Sequence, residues 1–121
     1  MNAPEPIDAV MLPEGVSKIV EIKNTKIPNA STFVFEREDH TLGNIIRMQL
    51  LSDPNVRFAG YRIPHPLKKC IEFKIQTISS NYTPKDALIA ALSNTNDTYK
   101  TLRMQFINQI HKDDEAFGPN Y

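Results

Sequence analysis

Residues 30–51 read ASTFVFEREDHTLGNIIRMQLL, and the hydrophobic period changes in the middle of this stretch. Residues 30–37 are rich in β-branched and aromatic side chains, which is typical of a strand. Residues 42–53 have helical spacing instead, and Asp39 or Thr41 can cap the first amides of that helix. The helix ends before Pro54, because a proline disfavours helical geometry in the residue that precedes it. The stretch therefore predicts a strand followed directly by a helix.

The flanking sequence adds three strands and a second helix. SKIVEIK at 17–23 is β-prone, while VRFAGYRI at 56–63 and CIEFKIQTI at 70–78 resemble a pair of strands. The sequence TPKD at 83–86 can form a capping box with proline at the first helical position, and we expect that helix to run to His111. The order β-β-α-β-β-α predicts an α+β fold with two layers, in which an antiparallel sheet carries both helices on one face.

A chain of 121 residues without an internal repeat is expected to form one domain. Four proline and glycine residues among positions 1–16 predict an irregular N-terminal arm. Residues 17–111 form the single predicted domain, and residues 112–121 are predicted to be a polar tail.

The charge balance argues against a protein that holds nucleic acid alone. Acidic and basic residues number 14 each, whereas contacts to a phosphate backbone need an excess of cations. Cys70 is the only cysteine, so no intramolecular disulfide can form and a reducing compartment fits best. Residues 1–16 contain no lysine or arginine and no apolar run typical of a signal peptide, so we expect an intracellular, soluble protein.

The C-terminal helix is expected to extend beyond its own domain. From Pro84 to His111 it would measure about 40 Å, against a diameter of about 35 Å for a compact domain of this length. Its middle, residues 93–98, consists of poor helix formers, so packing must hold that part helical. Apolar side chains recur at spacings of three and four residues when Thr95 is counted, a pattern that suits packing against another helix. These residues are Leu88, Leu92, Tyr99, Leu102 and Phe106.

The first helix is apolar on two sides. Leu42, Ile45, Ile46 and Leu50 form one arc, while Met48 and Leu51 point to the opposite side. Such a helix needs two neighbours, and the second neighbour is either a partner chain or the C-terminal helix. Gly43, near the helix start, indicates a close approach either to a partner or within the chain itself.

Three blocks of this sequence resemble the small alpha-like RNA polymerase subunits, which include archaeal subunit L. The first block is FEREDHTLGN at 35–44, and its continuation HTLGNIIR also resembles the start of the first dimerisation helix in bacterial alpha. The others are FAGY at 58–61, followed by His65-Pro66, and PKDAL at 84–88. The opening MNAPE resembles most the member of nuclear RNA polymerase II, and the version shared by polymerases I and III is the alternative.

The resemblance implies a non-catalytic subunit that acts in the nucleus. It implies pairing with a larger alpha-like subunit through both helices, and a heterodimer that serves as the platform for the large catalytic subunits. DNA would be reached only through the complex, and no cofactor, metal or membrane is implied. The expected partner interface comprises Leu42, Gly43, Ile45, Ile46, Leu50, Leu88, Leu92, Tyr99, Leu102 and Phe106.

Three rival interpretations remain at this level: an enzyme, a nucleic-acid-binding module and a homodimer. The homodimer stays open because bacterial alpha, which this sequence resembles, pairs with itself, and the apolar seam is compatible with either kind of dimer. Glu36, Glu38, Asp39 and His40 concentrate groups that can perform acid–base chemistry, although they also make an ordinary helix N-terminus. Cys70 is favoured as a packed thiol over a nucleophile, and the three histidines lack metal-ligand spacing. Residues 57–69 interleave basic and aromatic side chains and could form a small nucleic-acid-binding module.

Overall fold

The computed structural model describes Leu12 and residues 14–116. Along the chain lie β1 (Ile19–Lys23), β2 (Ala30–Glu36), α1 (His40–Leu51), β3 (Val56–Arg62), β4 (Cys70–Thr77) and α2 (Pro84–Ala116). The strands form one antiparallel sheet in the order β1-β2-β4-β3. The predicted α+β class and the predicted element order are confirmed.

The core lies between the sheet and the two helices. Alternate residues of the central strands are buried, because successive side chains of a strand point to opposite faces. α1 packs against β3 and β4, α2 packs against β2 and β4, and the two helices contact each other. The buried residues of this core are Phe33, Phe35, Ile46, Leu50, Ala59, Ile71, Phe73, Ile75, Ala87, Leu88 and Ala91.

Asp39 begins α1. Its carboxylate accepts a hydrogen bond from the backbone amide of Thr41 at 3.0 Å, which satisfies one of the free donors of the first turn. Of the two caps that the sequence offered, the structure uses this one. At the other end, the backbone amide of Ser52 bonds to the carbonyl oxygens of Met48 and Leu50 and closes the helix.

Thr83 and Asp86 form a reciprocal capping box at the start of α2. The amide of Asp86 donates to the Thr83 hydroxyl at 3.2 Å, and the amide of Thr83 donates to the Asp86 carboxylate at 3.1 Å. The helix then continues without a break for 33 residues, a length of about 50 Å.

The weak middle of α2 is helical. The hydroxyls of Thr95 and Thr98 donate to the carbonyl oxygens of Ala91 and Asn94, one turn earlier, so these side chains bond within the helix. The helix also continues past His111 to Ala116, which corrects the predicted polar tail at residues 112–116: the polar residues there lie on an exposed helix. The rest of that tail and most of the predicted N-terminal arm lie outside the described residues.

Candidate partner interface

One line of side chains runs along α2 and changes its surroundings halfway. We call Leu88, Leu92, Thr95, Tyr99, Leu102 and Phe106 the α2 seam. Its first residues lie on the sheet: Leu88 is 4% exposed, and Leu92 and Thr95 are half-buried. Its last three have no cover from the described residues, and Tyr99, Leu102 and Phe106 are 51%, 57% and 65% exposed. The spacing continues unchanged, but residues 14–116 supply a neighbour only for the first part of the seam.

Further apolar side chains, which lie outside the set predicted from the sequence, extend this uncovered region. Ile107 and Ile110 are 41% and 43% exposed. Ile110 follows Phe106 by four residues, so it continues the seam by one more turn. That spacing is the signal that could have identified it.

The α1 residues expected at the interface lie inside the chain instead. Ile46 and Leu50 are 0% exposed, Gly43 is buried, and Leu88 of α2 joins the same core. The chain's own sheet and helices cover these four residues, which leaves little side-chain surface for a partner there, and their place in an interface stays a prediction. Leu42 and Ile45 are half-buried.

The second apolar side of α1 remains open to solvent. Met48 is 66% exposed and Leu51 is 52% exposed, so the C-terminal helix does not cover them. A partner chain and the C-terminal helix were the two predicted neighbours for this side, and the described part of the C-terminal helix does not cover it. These two residues, which lay outside the expected interface set, offer partner-accessible surface on α1.

Gly43 makes its close approach within the chain. A β-carbon at this position would lie 2.7 Å from a ring carbon of Tyr61 in β3, so the ring or the helix would have to shift to admit a side chain. The Tyr61 hydroxyl donates to Asn44 Oδ1 at 3.1 Å and lies 2.9 Å from His40 Nδ1. The motif at the start of α1 therefore ties this helix to the sheet and sets how its outer side is presented.

Residues 30–105 match the family model of the RNA polymerase Rpb3/Rpb11 dimerisation domain, which is more than half of the chain. The chain belongs to the Rpb3/Rpb11 dimerisation domain family. The matched range begins at β2 and ends inside the uncovered part of α2. The resemblance to the small alpha-like polymerase subunits is thereby confirmed.

Named relatives in this family are similar over most of their length. DNA-directed RNA polymerase II subunit rpb11 of Dictyostelium discoideum is 42% identical over 112 residues, which are 93% of this chain and 92% of the relative. The probable counterpart from Caenorhabditis elegans is 48% identical, covering 77% of this chain and 75% of that protein. The Schizosaccharomyces pombe subunit RPB11 is 35% identical, covering 90% and 87%.

A solved structure shares the fold. DNA-directed RNA polymerase subunit L from Thermoplasma acidophilum aligns with a TM-score of 0.67 and covers 84% of this chain and 95% of its own. At 24% sequence identity this likeness concerns the fold alone.

The acidic residues before α1 have structural partners in this family member. Glu38 pairs with Lys18 at 2.7 Å, and Asp39 caps the helix and lies 3.9 Å from the ammonium of Lys69. Burial raises the pKa of the Cys70 thiol, and the negative charge of Glu36 raises it further. A raised pKa keeps the thiol protonated, and a protonated thiol is a poor nucleophile. Among the described residues, no group of three or more His, Cys, Asp or Glu side chains is arranged to hold a metal ion.

The basic and aromatic residues of 57–69 do not form one surface. Tyr61 lies under α1, whereas Phe58 is 50% exposed. Arg62 pairs with Glu72 at 3.0 Å, which neutralises part of the expected basic patch. A nucleic-acid-binding surface needs clustered unpaired cations, so this arrangement disfavours that interpretation. No helix in the described part of the chain is long and apolar enough to cross a membrane.

Proposed function

We propose that this chain is a non-catalytic core subunit of nuclear RNA polymerase II that pairs with a larger alpha-like subunit. The resulting heterodimer serves as the platform on which the large catalytic subunits assemble. The chain takes part in transcription of mRNA through this assembly, and it meets DNA only through the complex.

The uncovered end of the α2 seam is the observation that carries the proposal. Three large apolar side chains, Tyr99, Leu102 and Phe106, are each more than half exposed on one stripe. Contiguous apolar surface of this kind is typical of protein–protein contact sites. A partner that covers the stripe also stabilises a helix that is marginal when it stands alone in water.

The family and the names of its members support the choice of partner and enzyme. The matched family is a dimerisation domain named after two RNA polymerase subunits, so the proposed partner is the other alpha-like chain rather than a second copy. The three relatives are named as subunits of RNA polymerase II, which favours this enzyme over the version shared by polymerases I and III.

The test compares substitutions on opposite sides of the same half of α2. Leu102→Asp and Phe106→Asp each place a charge on the seam, whereas Met104→Asp places it on the other side of the helix at a residue that is 65% exposed. Each variant is co-expressed with the larger alpha-like subunit, and its affinity for that subunit is measured after purification. We expect the seam variants to bind on the order of 100-fold more weakly, because each buries an unpaired charge. The Met104 variant should bind like the wild type.

Wild-type affinity of all three variants for the larger subunit would show that the seam is not the contact surface. Recovery of the wild-type chain with the two large subunits of RNA polymerase II is the second readout, because it separates polymerase II from polymerases I and III. Self-association of the purified chain with no binding to the larger subunit would replace the heterodimer by a homodimer.

A further inference from the structure

β1 is an edge strand with one set of backbone groups directed away from the sheet. The carbonyl of Lys18 accepts from the amide of Glu36 at 2.8 Å. At the other end of the strand, the amide of Asn24 donates to the carbonyl of Ala30 at 3.0 Å. Since residues of an antiparallel pair bond to the partner strand alternately, positions 18, 20, 22 and 24 bond to β2. The backbone groups directed outward belong to Ile19, Glu21 and Lys23.

A groove lies beside this edge, on the helix face of the sheet. Side chains of β1, β2 and the first turns of α2 line it. Ile19 is 39% exposed and Ile89 is 54% exposed, so the groove has an open apolar end. The complete lining is Ile19, Glu21, Phe33, Lys85, Leu88, Ile89 and Leu92.

The groove becomes basic toward the end of β1. A second depression shares Glu21 and Lys85 with the first and continues past Lys23 to the start of α2 at Pro84. The Glu21 carboxylate accepts a hydrogen bond from the Ser31 hydroxyl at 3.1 Å. The ammonium groups of Lys23 and Lys85 lie at this end together with the single carboxylate of Glu21, which is bonded to Ser31. This end of the groove therefore carries a net positive charge.

The other edge of the sheet is different. β3 has a register shift between Val56 and Phe58, a distortion that hinders the addition of another strand. α1 also packs over β3, and Ala59 on that face is 5% exposed. A depression also lies beside β3, but its lining is largely polar and charged, whereas the described part of β1 combines regular edge groups with an apolar groove.

We propose that the β1 edge accepts an extended segment of another polymerase subunit as a fifth strand of the sheet. An extended chain is the occupant that satisfies regularly spaced outward amides and carbonyls and also places alternate side chains into the groove. The residue opposite Ile19 is apolar, and the residue opposite Lys23, four positions along the segment, is acidic. This contact shares Leu88 and Leu92 with the first half of the α2 seam but is separate from its uncovered residues Tyr99, Leu102 and Phe106. It rests on the proposal that the chain belongs to the assembled enzyme.

Hydrogen exchange of the full chain tests this proposal, measured free, in the heterodimer and in the complete polymerase. Single-residue rates are obtained by electron-transfer fragmentation in a mass spectrometer. In the free chain we expect fast exchange at Ile19, Glu21 and Lys23, and slow exchange at Val20 and Ile22, which bond to β2. In the complete enzyme the three outward amides should slow by at least about tenfold. Slowing confined to alternate amides indicates hydrogen bonds to an added strand, whereas burial under a partner without such bonds would not single out the outward amides.

A matched pair of variants isolates the backbone contact. Glu21→Pro removes one outward amide without removing a bond to β2, while Glu21→Ala removes the same side chain and keeps the amide. In the complete enzyme, the proline variant should lose the slowed exchange at Ile19 and Lys23, and the alanine variant should retain it. Both variants should bind the larger alpha-like subunit with wild-type affinity. Failure of the fifth-strand proposal can therefore be distinguished from failure of the proposed heterodimer.

Three outcomes would overturn the proposal of an added fifth strand. The first is equally fast exchange of the outward amides in the free chain and in the complete enzyme. The second is slow exchange of these amides already in the free chain, which would mean that the chain covers its own edge. The third is unchanged slow exchange at Ile19 and Lys23 in the Glu21→Pro enzyme.

Discussion

The two halves of α2 carry the same apolar repeat and have opposite surroundings. In the first half, residues 84–95, Ala87, Leu88 and Ala91 are at most 4% exposed against the sheet and α1. In the second half, residues 96–115, every side chain is exposed, including three seam residues. One half stabilises the chain's own fold, and the other half leaves the same kind of apolar surface exposed, which is the surface we propose for the partner.

This difference shows that the contribution of an apolar stripe to stability depends on which residues cover it. Burial of a leucine side chain contributes roughly 2 kcal/mol to stability. In the first half that contribution belongs to the folding of the monomer, whereas in the second half it becomes available only on association. The same substitution should therefore have different consequences at the two ends of the seam.

The largest expected effect comes from placing aspartate at each end. Leu88→Asp buries an unpaired carboxylate in the core and should reduce the free energy of unfolding by roughly 4 kcal/mol or more, a large share of the total for a domain. Leu102→Asp should change it by less than about 0.5 kcal/mol, because this position is exposed in the free chain. Urea unfolding of the free chain, followed by circular dichroism, measures both values. Equal midpoints for the two variants would contradict the division of α2.

A smaller effect should show how tightly α1 packs in the core that it shares with the buried first half of α2. Gly43→Ala brings a β-carbon to 2.7 Å from the Tyr61 ring, which two hydrogen bonds hold in place. Overpacking should exceed the gain in helix propensity and leave a net loss of about 1–2 kcal/mol in the free energy of unfolding.

Gly60→Ala is the matched control for this substitution. Its β-carbon would meet the end of the Phe58 ring at 3.2 Å, and that side chain is half exposed and can move. We expect a change within about 0.5 kcal/mol in the same unfolding experiment. If Gly43→Ala were equally mild, the Tyr61 contact would not constrain α1.

The smallest expected effect concerns the hydrogen bond between Tyr82, just before α2, and Asp53, which we call the Tyr82 anchor. The Tyr82 hydroxyl donates to the Asp53 carboxylate at 2.7 Å, and Tyr82→Phe should lower the free energy of unfolding by about 1 kcal/mol near neutral pH. Burial raises the pKa of Tyr82 from 10.0 to about 12, with further contributions from the hydrogen bond and the charge of Asp53.

The same anchor has a defined pH dependence. Between pH 10 and 12 the folded chain keeps a proton on Tyr82 that the unfolded chain releases, so the stabilisation is complete below pH 10 and is lost as the pH rises through about 12. The difference in unfolding free energy between the wild type and Tyr82→Phe should therefore shrink across this window. Urea unfolding of both proteins at several pH values measures it, and a constant difference would argue against the shifted ionisation.

Local patterns were sufficient to predict most of the fold. The alternation in CIEFKIQTI, the cap at Asp39 and the capping box at Thr83 depend on neighbours within a few residues, so they can be identified in the sequence. The end of α2 was misjudged, because polar residues after His111 are compatible with either a tail or an exposed helix.

The candidate interface could be predicted only in part, because a hydrophobic pattern does not specify which neighbour buries it. Ile46 and Met48 both lie on the apolar sides of α1, yet Ile46 is 0% exposed and Met48 is 66% exposed. The sequence by itself determined the elements, their order and the apolar repeat of α2, since these follow from backbone propensity and side-chain periodicity. Only the tertiary structure decided where that repeat stops contributing to the core and becomes surface, because the division depends on how far a sheet of four short strands extends beneath a helix of 33 residues.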